Sequence, residues 1–170
     1  MIEVSDINFN SYFPVMHDSD IINDHVRKYY SCFMITHFDH ILNEEEAEKY
    51  ILSYSYIDKD ISSKNKYYEA EHCFINLYKN IFHKYTAYYV IDRDGANGVD
   101  YYQFDNSSEF VNAVIKSLRE IEFIKICIPA IGIILTGNFD LTVAGFSLKK
   151  LDKNNDFYDL VTKNGLYCFS

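Results

Sequence analysis

The spacing of apolar residues changes along the chain, from a helical period in the first half to a strand period in the second. Apolar side chains three and four positions apart predict amphipathic helices over about 43–56 and 66–84. Asn43, followed by Glu44–Glu46, supplies an N-cap and an acidic first turn to the former helix. A similar spacing predicts an earlier helix over about 20–36, although β-branched and aromatic residues are frequent there. We therefore expect the N-terminal half to be mostly helical.

Strand periodicity begins in the second half of the chain. Residues 86–92 and 99–104 are predicted to pair as a hairpin, because the intervening residues 93–98 contain the turn-forming dipeptides Asp-Gly and Asn-Gly. An Asn-Ser-Ser-Glu sequence then predicts the start of a helix over about 107–122.

Two long strands are predicted next, over residues 123–136 and 141–148, with the polar segment Gly137–Asp140 as the turn between them. The side chains at 131–135 are mostly apolar without alternation, which is typical of a central strand buried on both faces. This segment is therefore expected to lie in the middle of the sheet.

A short helix and an edge strand are predicted to close the chain, over about 154–163 and 166–169, with Asn164-Gly165 as a C-cap between them. Together the elements predict an α+β fold, in which N-terminal helices pack on a mainly antiparallel sheet from the C-terminal half. A chain of 170 residues with 48% hydrophobic content is long enough for one core and short for two. Residues 1–170 are expected to form a single domain.

The negative charge is concentrated near the N-terminus. Residues 1–60 contain twelve acidic and four basic residues, a net charge of −8 out of −9 for the whole chain. A surface of one sign attracts a basic partner and repels nucleic acid and anionic membranes, so neither of the latter is an expected partner. The most apolar stretch, residues 121–135, is too short and too interrupted to span a membrane.

No catalytic or cofactor-binding motif stands out. Glycine-rich phosphate loops and the common hydrolase signatures are absent from the sequence, so no catalytic residue and no cofactor is predicted. The cysteines are far apart and form no CxxC pair, which is typical of reduced thiols in a cytoplasmic protein. They are Cys32, Cys73, Cys127 and Cys168.

Mixed histidine and carboxylate segments leave one enzymatic alternative open. His37 and His40 would share a face if they lay on a helix, and His17, Asp18, Asp20, Asp24 and His25 add further possible ligands. On this alternative the protein is a small metal-dependent hydrolase or transferase. The histidine spacing is common in unrelated sequences, and no metal site is predicted.

The order of elements resembles that of a known type of protein. Helices followed by the Gly137–Asp140 hairpin, by Leu141–Ser147 and by the closing segment Phe157–Tyr167 resemble the immunity proteins of bacterial polymorphic-toxin and contact-dependent growth-inhibition systems. The resemblance implies a non-enzymatic inhibitor that binds a cognate toxin domain, commonly a basic nuclease.

The charge distribution indicates which residues would bind such a partner. Carboxylates can take the places that phosphates occupy in a nuclease, and tyrosines are common anchors in interfaces. The expected partner-binding residues are Asp18, Asp20, Asp24, Asp39, Glu44, Glu45, Glu46, Glu48, Tyr50 and Tyr54. The chain is expected to be a monomer or a weak homodimer, and the sheet edge at 166–169 is an alternative surface for association.

Overall fold

The structure is a computed structural model that describes residues 1–4, 30–49, 53–59, 61–92, 99–137, 140–148, 150–151 and 155–170. Within these ranges the chain forms four α helices and one eight-stranded sheet in which every neighbouring pair of strands is antiparallel. The predicted α+β class is therefore confirmed. Two strands come from the N-terminal region and two helices from the C-terminal half, so the elements alternate more than expected.

The helices largely begin where their capping residues are. They are α1 (Glu44–Lys49), α2 (Ile61–Lys84), α3 (Ser107–Leu118) and α4 (Asp156–Lys163). Helix α2 begins earlier than predicted, and α3 ends at Leu118 because Glu120 adopts a left-handed backbone with φ of 58°. The predicted continuous helix to residue 56 is wrong, since Tyr54–Lys59 forms a 3₁₀ helix instead.

The strands are β1 (Ile2–Glu3), β2 (Ser31–Thr36), β3 (Tyr88–Asp92), β4 (Val99–Gln103), β5 (Lys125–Ile128), β6 (Ile133–Gly137), β7 (Val143–Ser147) and β8 (Tyr167–Phe169). Their order across the sheet is β1-β4-β3-β5-β6-β7-β2-β8. The β3–β4 hairpin and the last edge strand are confirmed, whereas the predicted turn at 93–98 lies outside the described residues.

The helix predicted over 20–36 is wrong where the structure describes it. Residues 31–36 form β2, which lies between β7 and β8, with Ile35 opposite both Val143 and Cys168. The β-branched and aromatic side chains suit a strand, and the two neighbouring strands supply hydrogen bonds that the local sequence does not reveal. The rest of that prediction, residues 20–29, lies outside the described residues.

The single strand predicted over 123–136 is also wrong. It consists of β5 and β6, which pair with each other across a 3₁₀ turn at Pro129–Ile131. Proline has no amide hydrogen for the ladder, and Gly132 has a left-handed φ of 63°, so the chain reverses there.

Apolar side chains cover the central strands on both faces, as predicted, although of the predicted residues 131–135 only 133–135 belong to the strand. Ile133 and Leu135 of β6 belong to the larger core beneath the helices. Ile134 points the other way, into a smaller core with Tyr30, Tyr88, Val90, Cys127 and Phe146. The middle of the sheet is therefore a rigid platform for the surface segments at its ends.

We expect Gly145→Ala to lower the free energy of unfolding by about 2–3 kcal/mol, because a Cβ atom at this position of β7 would overlap the ring of Phe33 on β2. Urea denaturation measures the effect. In a Phe33→Leu background the same substitution is expected to cost less, because the ring is gone. An equal loss of unfolding free energy in the wild-type and Phe33→Leu backgrounds would contradict the close approach of the Phe33 ring to Gly145.

Candidate functional site

The segment that follows β2 and the first turn of α1 expose several carboxylates. Asp39, Glu44 and Glu45 are exposed, and the Asp39 side chain retains 73% of its accessibility. Ile41 lies between them in the chain and is 63% exposed. We call these four residues the acidic surface. It combines solvent-exposed carboxylates with an apolar side chain, a composition suited to contact with a basic protein.

A capping box fixes the start of α1. The Asn43 Oδ1 atom accepts a hydrogen bond of 3.0 Å from the Glu46 amide, and Glu46 Oε2 accepts one of 3.0 Å from the Asn43 amide. The predicted N-cap at Asn43 is thereby confirmed. Glu46 has a structural role, whereas Glu44 and Glu45 project from the first turn.

His40 lies between two carboxylates of this segment. Its Nδ1 atom is 2.7 Å from Asp39 Oδ1, and its Nε2 atom is 3.2 Å from Glu46 Oε2. Hydrogen bonding, first to Asp39 and then to Glu46, raises the pKa of His40, while the bond to His40 lowers the pKa of Asp39. The imidazolium therefore forms more readily here than in a free histidine.

His37 is in a different environment. It follows β2 in a bend, so the shared helical face considered for His37 and His40 is wrong. Its ring lies 3.7 Å from the ring of Phe38, and burial lowers its pKa to about 4. The Nδ1 atom is buried and makes no hydrogen bond to any described residue. His37 is therefore a neutral, packed side chain near pH 7.

Two kinds of site bear on enzymatic chemistry in the described part of the chain, metal-binding side-chain clusters and reactive thiols. No group of three or more His, Cys, Asp or Glu side chains there is arranged to hold a metal ion. Burial raises the pKa of Cys127, and it raises that of Cys168 to about 11. Both thiols stay protonated at neutral pH, unlike activated nucleophiles. All four cysteines are free, as expected.

Tyr54 belongs to a second cluster, at the C-terminal end of α3. The guanidinium of Arg119 lies 5.1 Å from the centre of the Tyr54 ring and 5.9 Å from that of Tyr68. Its Nε and Nη2 atoms donate to Glu71 Oε1 and Oε2 at 2.7 and 3.0 Å. We call Tyr54, Tyr68, Glu71 and Arg119 the Arg119 cluster.

Further hydrogen bonds attach neighbouring segments to this cluster. The Tyr67 hydroxyl donates to the Leu118 carbonyl at 3.0 Å, at the end of α3. The Ser53 hydroxyl donates to Glu120 Oε2 at 2.9 Å, immediately before the 3₁₀ helix. These bonds hold the 3₁₀ helix, α2 and the end of α3 together.

Sequence reasoning missed Glu71 and Arg119, although a signal for the former exists. Glu71 lies on the buried stripe of α2, four residues after Tyr67 and three before Phe74, and its side chain is only 5% exposed. A single carboxylate on an apolar stripe indicates a buried cationic partner. Nothing local identifies Arg119 as that partner.

The structure places the sequence-predicted residues in two regions. Asp39 follows β2, and Glu44, Glu45 and Glu46 form the first turn of α1 shortly after it, whereas Tyr54 lies in the Arg119 cluster. Glu48 is part of α1, but its side chain is not described. Asp18, Asp20, Asp24 and Tyr50, with His17 and His25, lie outside the described residues.

We expect Arg119→Met to lower the free energy of unfolding by about 3 kcal/mol, because it leaves the buried Glu71 carboxylate without its partner. Adding Glu71→Leu removes the stranded charge, so the double variant is expected to recover most of the loss. A double-mutant cycle from denaturation curves measures this coupling. If the changes in unfolding free energy of the two single variants simply added up in the double variant, Glu71 and Arg119 would not be energetically coupled.

We expect Asp39→Asn to lower the pKa of His40, because the substitution removes its principal hydrogen-bonding carboxylate. A raised folded-state pKa contributes stability below the unfolded value of 6.5, and this is lost as pH rises through the folded pKa. NMR titration of the imidazole measures the shift, with the distant Asp159→Asn as a control. An unchanged His40 titration in Asp39→Asn would refute the assignment.

The described residues thus present one charged surface and one aromatic–arginine cluster. The former offers carboxylates in solvent, and the latter offers an arginine held in place by its neighbours.

No helix in the described part of the chain is long and apolar enough to cross a membrane. No family model, curated protein or solved structure matches this chain.

Proposed function

We propose that this protein is an immunity protein, which binds and neutralises a cognate toxin domain of basic, nuclease-type character. The observation that carries the proposal is the acidic surface, in which three exposed carboxylates and an exposed isoleucine lie within seven consecutive residues, 39–45. The net charge of −9 strengthens the field of this surface. The protein then acts by occupying the surface on which a nuclease would bind phosphates.

Electrostatic attraction is expected to act first on the association rate. Charges in solvent interact over about 8–10 Å at physiological salt, so carboxylates that project from the protein guide a basic partner toward this segment. Asp39, Glu44 and Glu45 are well placed for this role because their side chains lie in solvent. Ile41 adds an apolar contact that salt does not screen.

Glu46 is less suitable than the sequence indicated. Its carboxylate accepts the Asn43 amide hydrogen and lies 3.2 Å from His40 Nε2, so reversing its charge would disturb the start of α1 as well as the surface. A test of binding should therefore change Glu44 and Glu45, which are exposed, and leave the capping box intact.

The first experiment concerns the partner itself. In toxin systems of this type the toxin is encoded directly upstream of its inhibitor. The C-terminal domain of the upstream-encoded polypeptide is expected to arrest growth when expressed alone and to be harmless when co-expressed with this protein. Light scattering of the purified mixture should give a one-to-one complex. Toxicity that persists on co-expression, with no complex, would refute the proposal.

We expect Glu44→Lys combined with Glu45→Lys to slow association with that toxin domain by about tenfold or more at low salt, because steering is lost. Stopped-flow mixing at two NaCl concentrations measures the rate, and its dependence on salt should also weaken. The matched control is Glu3→Lys with Glu69→Lys, which changes the net charge equally at exposed positions elsewhere. Equal slowing in both pairs would show that net charge acts without a localised surface.

A further inference from the structure

We propose that the turn between α3 and β5, together with the exposed side of the Arg119 cluster, forms a second surface that holds the basic partner after it has been steered in. We call Tyr68, Arg119, Glu120, Ile121 and Asp140 the turn surface. This inference rests on the proposed function and adds a second contact region to it. The two surfaces are expected to act on different rate constants.

Exposed apolar side chains on a fixed backbone are the first reason. Ile121 is 66% exposed and Tyr68 is 38% exposed, although both belong to ordered structure. The amides of Arg119 and Ile121 donate to the carbonyls of Ile115 and Lys116 at 3.0 and 2.9 Å, which fixes the course of the turn. A partner that covers these side chains would bury apolar area with little loss of backbone entropy.

The second reason is that Arg119 is already held in place. Two tyrosine rings and the Glu71 carboxylate hold its guanidinium, yet 28% of its side chain remains accessible. Arginine and tyrosine are enriched among the residues that contribute most to protein interfaces. Because its side chain is already fixed, Arg119 loses little conformational entropy on binding. The favourable free energy of contacts with its exposed face is therefore not reduced by such a loss.

The charges of this region favour a partner with a basic side chain. Arg119 is paired with Glu71, and Lys116 with Glu122 at 3.2 Å. Two further acidic residues, Glu120 and Asp140, are neighbours in space, since Glu120 Oε1 accepts the backbone amide hydrogen of Asp140 at 3.4 Å. Partial burial and the neighbouring Glu120 charge raise the pKa of Asp140. A lysine or arginine of the partner would relieve this repulsion, and the acidic surface selects the same sign of charge.

The backbone at these two carboxylates is unusual. Glu120 and Asp140 have φ values of 58° and 57°, in the left-handed region that residues with a Cβ rarely adopt. A glycine would adopt this conformation without the steric clash that a Cβ atom causes. Side chains kept in strained positions are common at binding sites.

The test uses Ile121→Asp and the upstream-encoded toxin C-terminal domain in a catalytically inactive form. We expect the complex to dissociate about tenfold faster or more, because an apolar contact becomes a buried charge, with the association rate changed less than about threefold. The matched control is Ile2→Asp on β1, which is 64% exposed and should dissociate like the wild type. Asp140→Asn, which keeps the shape and tolerates a left-handed backbone, should also hasten dissociation.

The possible outcomes separate the two proposals. A complex whose dissociation is unaffected by Ile121→Asp and Asp140→Asn would overturn the turn surface and leave the proposed function standing. Faster dissociation of the complex with Ile2→Asp would also overturn the turn surface, because a new charge would then hasten dissociation wherever an exposed isoleucine is replaced. Absence of any complex with wild-type protein would overturn the proposed function and, with it, the partner that the turn surface requires.

Discussion

The buried carboxylate of Glu71 is the constraint on which the Arg119 cluster depends most directly. It projects from the apolar stripe of α2, where an unpaired charge would destabilise the fold strongly, and Arg119 satisfies it with two hydrogen bonds. To reach Glu71, the guanidinium must lie at the end of α3 between the rings of Tyr54 and Tyr68. The pairing thereby anchors the end of α3 to α2, next to the turn that presents Ile121.

In the complex that we propose, the two surfaces contribute to recognition through different physical forces. The acidic surface acts through charge in solvent, which reaches far, is weakened by salt and mainly influences how fast a partner arrives. The turn surface acts at short range, through apolar area and an ordered arginine, which mainly influence how long the partner stays. On the function that we propose, both surfaces favour a basic partner, so a single inhibitor complex can use them together.

Local sequence signals predicted much of the fold because the interactions behind them are local. Asn43, Asn106 and Asn155 each accept an amide hydrogen from the first turn of the helix that follows. The apolar stripe of α2 is likewise a property of one segment. The errors at 31–36 and 123–136 arose where sheet neighbours and Pro129 decided the outcome. A strand between two others takes its hydrogen bonds from residues far away in the chain.

The sequence by itself determined the α+β class, the starts of α1, α3 and α4 to within about two residues, and the concentration of acid near the N-terminus, because composition, capping and periodicity depend on neighbouring residues. Only the tertiary structure decided that Glu46 belongs to a cap and that Tyr54 packs on a guanidinium. Glu71 and Arg119 are 48 positions apart in the chain, and the packing of α2 against α3 brings them together. The same packing leaves the Glu71 side chain only 5% exposed, so the carboxylate depends on Arg119 rather than on water. Such a pairing is a property of the folded chain, since the apolar stripe around Glu71 indicates that a cation is needed but nothing local identifies Arg119 as that cation.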